Sequence, residues 1–195
     1  IISACKEEKI EGFVSGDIKL GGNISIGYIP QEIHFENEEQ AVIDDFRNYF
    51  SGEETRLRST LVHFGFTGES IFNPAGKLSG GEKVKLLLCE HIQSKVNILI
   101  FDEPTNHIDA DTRNTLESAL LEYKGTILFV SHDRYFINKI ATSVAKLEDK
   151  KKKKFVGNFD DYQNTIKNKS KMLEEKKEEN IDFNKLKAKR KGNWI

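Results

Sequence analysis

Near its middle the chain reads Ile98-Leu99-Ile100-Phe101-Asp102-Glu103, an apolar run that ends in two adjacent carboxylates. A continuous apolar run of this kind predicts a β-strand buried on both faces, as strands of parallel sheets are. The run from Thr126 to Val130 predicts a second buried strand. Helical patterns lie before and between these two strands, and this alternation favours an α/β fold built on a parallel sheet.

Weaker signals predict the remaining elements. Two short strands are expected on either side of Gly21-Gly22, over 13–20 and 24–29. Apolar residues recur at helical spacing over 38–50 and 53–65, which predicts a small helical region. Further helices are expected over 82–93, 111–123 and 134–140, strands over 144–148 and 153–156, and one charged helix from about 159 to 191.

Composition limits the classes of protein that remain. The 195 residues suffice for one domain, or for one domain with an appendage. No run of about 18 apolar residues is present, so the sequence predicts no membrane span. The first residues lack an initiator Met and the layout of a secretion signal, and we expect Ile1 to be a cut end. Only Cys5 and Cys89 carry thiols, which favours a reducing, cytoplasmic compartment.

Charge is distributed unevenly along the chain. Residues 150–195 contain 15 of the 30 basic residues but only 7 of the 31 acidic ones. A basic tail on an acidic body suggests a polyanionic partner for the tail. The alternative is a solvated helix whose lysines keep the protein soluble, and charge alone favours that alternative.

Two candidate groups follow the predicted buried strands. Ligands of open parallel sheets lie outside the carboxyl ends of the strands. Asp102 could hold Mg²⁺ there, and Glu103 could orient and deprotonate an attacking water. His132 follows the next strand at the same rim and could contact a γ-phosphate, although a surface histidine before the next helix would look the same.

Glycines mark a third candidate, Leu78-Ser79-Gly80-Gly81-Glu82. They allow a backbone to approach a ligand closely, and the helix that begins there presents free N–H groups to an anion. A plain helix N-cap with a glycine turn is the alternative. Gln31, directly after a predicted strand and Pro30, could reach a metal or a water from a flexible joint, but alone it carries no signal.

Taken in order, these motifs resemble the ATP-binding cassette (ABC) family over about residues 13–135. Gln31, Leu78–Glu82, Phe101–Pro104, Asp109 and His132 correspond to its Q-loop, signature, Walker B, D-loop and switch histidine. The resemblance implies a partial P-loop NTPase (ABC ATPase) domain with a parallel core sheet, a small helical subdomain and a charged C-terminal helical tail. It also implies ATP and Mg²⁺ as cofactors. The roles implied are catalytic for Glu103, His132 and Gln31, metal-binding for Asp102 and Gln31, and ATP-binding for Ser79, Gly80, Gly81, Glu82 and Asp109.

In that family the signature closes over a nucleotide held mainly by a facing domain, which is therefore an expected partner. The phosphate-binding loop, Gly-x-x-x-x-Gly-Lys-Ser/Thr, does not occur in the printed residues, and Gly76-Lys77 is followed by Leu78 instead. Gly16-Asp17-Ile18 resembles the segment that follows this loop, so we expect the loop just before Ile1. The expected domains are an ATPase domain over 1–156, with its helical subdomain at about 36–95, and a tail over 157–195.

The residues within and beside these motifs resemble those of the ABC-F subfamily. Asp102-Glu103-Pro104-Thr105-Asn106-His107-Ile108-Asp109 and Val130-Ser131-His132-Asp133-Arg134-Tyr135-Phe136 carry this likeness. It implies a soluble protein with two ATPase domains that acts on the ribosome, as a translation factor or in antibiotic resistance. Lys150–Lys154 and the basic cluster over 185–191 could then contact ribosomal RNA phosphates. An ATP-binding subunit of a membrane transporter and a non-enzymatic truncated remnant are the alternatives.

The first prediction concerns ATP binding by this chain alone. Since the printed residues include no phosphate-binding loop, we expect the 195-residue chain to bind Mg-ATP weakly or not at all. Calorimetric titration of the chain with Mg-ATP measures this directly, and a micromolar affinity would show the expectation to be wrong.

Overall fold

A computed structural model of the chain describes residues 19–106, 108–148, 151–168 and 171. The chain divides into two compact units, of which the first ends at Asp133 and the second begins at Arg134. Within the described residues, no helix combines the length and the apolar character needed to cross a membrane. The strand predicted over 13–20 falls mostly outside the described residues, as do most of the charged helix and the cluster over 185–191.

Three parallel strands form the core sheet of the first unit. They are β1 (Ile26–Ile29), β2 (Ile98–Asp102) and β3 (Thr126–Val130), and they lie in the order β1-β2-β3. Ile29 pairs with Phe101, and Phe101 pairs with Phe129. The predicted parallel sheet is therefore confirmed, and the carboxyl ends of all three strands lie at one edge.

Among the described residues of the first unit, four α-helices accompany the sheet, together with two short 3-10 helices. The four are α1 (Val42–Arg47), α2 (Glu54–His63), α3 (Gly80–Gln93) and α4 (Ala110–Glu122), and the 3-10 helices are Gly68–Phe72 and Ala75–Lys77. The helix predicted over 38–50 is shorter than expected because the residues before it bond to another segment. Ala41 bridges to Pro74, the N–H of Ala75 donates to Gln40 O, and the N–H of Gly76 donates to Glu38 O.

Helix α3 packs directly on β1. A Cβ at Gly27 would lie 2.7 Å from the His91 ring, so only glycine leaves room for that imidazole against the strand. The Nε2 of His91 lies 3.1 Å from Tyr28 O, and burial lowers the pKa of His91. The face of the sheet that carries Gly27, Leu99 and Phe101 is consequently buried.

The opposite face is not buried to the same extent, and the prediction that β2 and β3 are buried on both faces is wrong. Ile98 and Ile100 of β2 are half-buried, while β3 alternates between exposed and half-buried residues. Leu128 is 46% exposed and Val130 is 60% exposed. Among the described strands β3 pairs with β2 alone, so it is an edge strand of the sheet that the structure describes, and less of its surface is covered there.

The second unit contains helix α5 (Arg134–Ile140), which confirms the helix predicted there. An antiparallel hairpin follows, formed by β4 (Ser143–Glu148) and β5 (Lys151–Val156), where two strands were also predicted. Residues 159–168 are helical. The rings of Phe155 and Tyr162 meet edge-to-face with centroids 4.7 Å apart, which packs this helical segment on the hairpin.

Two carboxyl groups meet inside the helical region, a feature that the sequence did not predict. Glu90 of α3 is 2% exposed, and burial together with the nearby Asp45 of α1 raises its pKa to about 9. The pKa of Asp45 is also raised, chiefly by burial. A hydrogen bond between the two side chains also raises the pKa of Glu90. Glu90 is therefore protonated in the folded protein at neutral pH.

A pH-dependent stability follows from this pair. The folded pKa of Glu90, about 9, lies above its ordinary value of 4.5. The protonated Glu90 therefore contributes its full stabilisation below pH 4.5, and this stabilisation is lost as the pH rises through about 9. Glu90→Gln removes this loss, so we expect the variant to gain about 1 kcal/mol or more over the parent at pH 8. Urea unfolding at pH 5 and pH 8 measures the difference, with the exposed Glu122→Gln as the control. An identical pH dependence for parent and Glu90→Gln would contradict it.

Candidate active site

The edge of the core sheet brings Glu103 and His132 together. Asp102 at the end of β2 pairs with Val130, so Glu103 and His132 both lie just beyond the sheet. The N–H of Glu103 donates to Val130 O at 3.0 Å, and its Oε2 accepts from the N–H of His132 at 3.2 Å. Its Oε1 lies 3.4 Å from His132 Nε2. One carboxylate oxygen is thus anchored on the loop after β3, and the other faces the imidazole.

These two side chains differ strongly in exposure. The Glu103 side chain is only 11% exposed, whereas that of His132 is 96% exposed. Glu103 also has a φ of 49°, in the left-handed region that non-glycine residues seldom adopt. Backbone strain of this kind costs on the order of 1–3 kcal/mol and is concentrated at functional sites. The turn after β2 therefore aims a largely shielded carboxylate at a histidine that a ligand can reach.

Asp102 and Gln31 lie at the same edge and are both exposed. The Asp102 carboxylate makes no hydrogen bond or ion pair with another described residue. In the described part of the chain, no three His, Cys, Asp or Glu side chains form a group that could hold a metal. Mg²⁺ at nucleotide sites is commonly held by one or two carboxylates together with substrate phosphates, so a single free carboxylate such as Asp102 fits that ion.

The turn before α3 is built around Ser79. Ser79 caps the helix, and its N–H and Oγ donate to Glu82 Oε2 at 2.8 and 2.7 Å. Its Oγ also accepts from the N–H of Glu82 at 3.3 Å, which completes a capping box. The helix therefore begins at Gly80, two residues before its predicted start. In this structure Ser79 and Glu82, both predicted to bind ATP, hydrogen-bond to each other.

The two glycines of this turn have different surroundings. A Cβ at Gly80 would meet nothing within 4 Å, which leaves the open approach that the sequence predicted. A Cβ at Gly81 would lie 2.8 Å from Thr112 Cγ2. Gly81 thus permits close packing of α3 on α4.

Asp109 is the N-cap of α4. Its Oδ1 accepts from the N–H of Thr112, and its Oδ2 accepts from Thr112 Oγ1, both at 2.8 Å. The bond from the Thr112 N–H is the main reason that the pKa of Asp109 is lowered. His107, which contributed to the family likeness, lies outside the described residues.

Sequence reasoning missed two residues of the first turn of α4. Thr112 is 3% exposed, and the Asp-x-x-Thr spacing from Asp109, which is typical of an N-cap, is the signal that could have found it. Arg113 Nη1 lies 2.9 Å from Asp133 Oδ2, next to His132. No local sequence pattern predicts this ion pair, because its partners are twenty residues apart in the sequence.

Comparison with known proteins gives a consistent result. Residues 15–106 match the family described as "ABC transporter". The "Putative ATP-binding protein YdiF" of Bacillus subtilis is 44% identical over 148 residues, which are 75% of this chain and 23% of that protein. The "Probable ATP-binding protein YbiT" of Escherichia coli O157:H7 is 38% identical over 151 residues, 76% of this chain and 28% of that protein. The chain thus spans about a quarter of the length of these relatives.

A solved structure supports the fold. It is described as "an inward-facing conformation of a putative metal-chelate type ABC transporter", and it superposes with a TM-score of 0.50 at 19% sequence identity. The likeness covers 68% of this chain and 58% of the other. The α/β fold with its parallel sheet is therefore that of a P-loop NTPase of the ABC ATPase type, as the sequence predicted.

The capping box generates a prediction about Ser79. Ser79→Ala removes the side-chain acceptor for the N–H of Glu82, and loss of such a cap costs about 1 kcal/mol of stability. Ser79→Asn restores a good neutral cap, so its free energy of unfolding should stay close to that of the parent. Urea unfolding of the 195-residue chain measures both variants. Equal stability of the alanine and asparagine variants would contradict a capping role.

Proposed function

The chain carries part of an ATPase domain of the ABC transporter family, and from this premise we propose that it binds and hydrolyses ATP within an ABC-F protein that acts on the ribosome. The observation that carries the ATPase proposal is the contact between Glu103 and His132 beside the exposed Asp102. All three lie at the carboxyl edge of a parallel sheet, where ligands of such folds bind.

Glu103 is the proposed general base. The N–H of His132 holds one oxygen of its carboxylate, while the other can accept a proton from a water that attacks the γ-phosphoryl group. Water then adds in line to phosphorus, the bond to the ADP oxygen breaks, and the proton resides on Glu103 until it is released. Catalysis of this reaction is mostly positioning and charge stabilisation.

His132 and Asp102 are proposed to act on the phosphates. The His132 ring is almost fully exposed, so its Nε2 can turn to a γ-phosphate oxygen. Asp102 and Gln31 would hold Mg²⁺ at this edge, and the ion would neutralise phosphate charge when bound. Ser79 and Gly80 are proposed to face a nucleotide held mainly by a second ATPase domain, because the turn at Gly80 is open. Gly81, Glu82 and Asp109 are proposed to shape that surface.

The ribosome is proposed as the partner on two grounds. The sequence over 102–109 and 130–136 resembles that of ABC-F proteins, and the relatives named above are called ATP-binding proteins. The second ground is charge, since Lys153 and Lys154 are exposed on β5, just before a tail rich in lysine. Such a surface suits RNA phosphates, whose contacts are independent of sequence and sensitive to salt. Translation and antibiotic resistance are the two biological settings proposed.

A subunit of a membrane transporter is the second candidate. It is favoured by the family description and by the solved transporter structure with the same fold. Asn106 and the basic tail favour the ribosome instead, since transporter subunits more often carry Ser-Ala at 106–107. A third candidate, a folded remnant without activity, predicts that no variant changes ATP turnover.

Glu103→Gln tests the proposal in the intact protein. Loss of the base should lower ATP hydrolysis by at least about 100-fold, because general bases contribute 10²–10⁴-fold. The variant should also stay bound to ribosomes in the presence of ATP, which sedimentation through sucrose measures. The exposed Glu69→Gln, outside the site, is the matched control.

Two outcomes would count against this proposal in different ways. Hydrolysis at the parental rate would show that Glu103 is not the base. A large loss of ATP hydrolysis without accumulation on ribosomes would support the ATPase proposal but contradict the ribosome as partner, and it would favour the transporter subunit.

A further inference from the structure

Thr112 lies between two segments that the proposed function assigns to ATP. It is 3% exposed in the first turn of α4. Its N–H and its Oγ1 both donate to the Asp109 carboxylate, each at 2.8 Å. With both oxygens bonded to one residue, the Asp109 side chain is held in a single orientation.

The methyl group of Thr112 faces the other segment. A Cβ at Gly81 would lie 2.8 Å from Thr112 Cγ2, 3.1 Å from its Oγ1 and 3.3 Å from its Cβ. Contacts below 3.0 Å do not persist, so any side chain at residue 81 must displace Thr112 or move α3. The Thr112 side chain, with its methyl group nearest, therefore fills the space beside Gly81.

The first turn of α4 also contacts the loop after β3. The next residue, Arg113, forms an ion pair of 2.9 Å with Asp133, and these side chains are 34% and 19% exposed, respectively. Asp133 directly follows His132, whose N–H holds Glu103. The ion pair thus links the first turn of α4 to the loop after β3, which also carries His132.

We propose that Thr112 is a positioning residue that fixes the glycine turn at Gly81 and the Asp109 side chain in one arrangement. The inference rests on the proposed ATPase function, to which it adds a residue that touches neither ATP nor the attacking water. The two parts of the side chain have separate tasks, since the hydroxyl orients Asp109 and the methyl spaces α3 from α4. Serine keeps the first task and loses the second.

A compensation experiment in the intact protein tests the spacing task. Gly81→Ala forces a methyl group against Thr112 and should lower kcat at least tenfold. Addition of Thr112→Ser removes the shortest clash, so the double variant should recover at least threefold in kcat. The KM for ATP should stay within twofold throughout, because Gly81 is proposed to shape the surface around Ser79 and Gly80 and the nucleotide is held mainly by a second ATPase domain.

Gly80→Ala supplies the matched control, since a Cβ there meets nothing within 4 Å. Its effect on kcat should be the same with threonine or serine at 112. Thermal unfolding of the 195-residue chain gives a readout that needs no ATP, and there Thr112→Ser should restore part of the melting temperature lost in Gly81→Ala.

Failure of the inference can be told from failure of the proposed function. If the intact parent protein does not hydrolyse ATP, the proposed function is wrong. An active parent in which Gly81→Ala is equally harmful with threonine or serine at 112 overturns the role of Thr112. So does a double variant whose recovery of kcat is no larger than its recovery of folded protein, measured by circular dichroism under the assay conditions, because unfolded protein lowers the apparent kcat and leaves KM unchanged.

Discussion

Parallel pairing of β2 with β1 on one side and β3 on the other is the constraint on which the candidate site depends. Gln31, Asp102 and His132 are far apart in the sequence, yet each follows a strand of this sheet. In-register pairing places the ends of the strands at one edge. Loss of register by one residue would turn Glu103 away from the His132 loop, since successive side chains of a strand point to opposite faces.

Helix caps form the second layer of this organisation. Ser79 and Asp109 each satisfy free N–H groups at the start of a helix, and each belongs to a motif assigned to ATP. The capping bonds lie within four residues, so they set local shape before any ligand binds. Contact between Gly81 and Thr112 then joins the two helix starts. Folding and preparation of the site are consequently served by the same bonds.

Sequence reasoning predicted what depends on local pattern. The strands over 98–102 and 126–130, helix 134–140 and the meeting of Glu103 with His132 follow from apolar runs and the geometry of parallel sheets. Sequence reasoning failed where contacts with a segment distant in the sequence determine the bounds of a helix or the burial of a strand. Bonds from Ala75 and Gly76 shorten α1, and the edge position leaves β3 exposed. The Asp45–Glu90 and Arg113–Asp133 pairs were missed for the same reason, because only tertiary packing brings their members together.

The left-handed backbone at Glu103 has a consequence for how this sequence can change. Glycine adopts that conformation without strain, so on grounds of folding alone residue 103 would be a glycine. A selection for thermal stability would thus favour Glu103→Gly, and this substitution removes the carboxylate. Thermal stability and the proposed role of Glu103 as general base therefore favour different residues at this position, and a more stable form of the domain that keeps the carboxylate has to gain its stability at other positions.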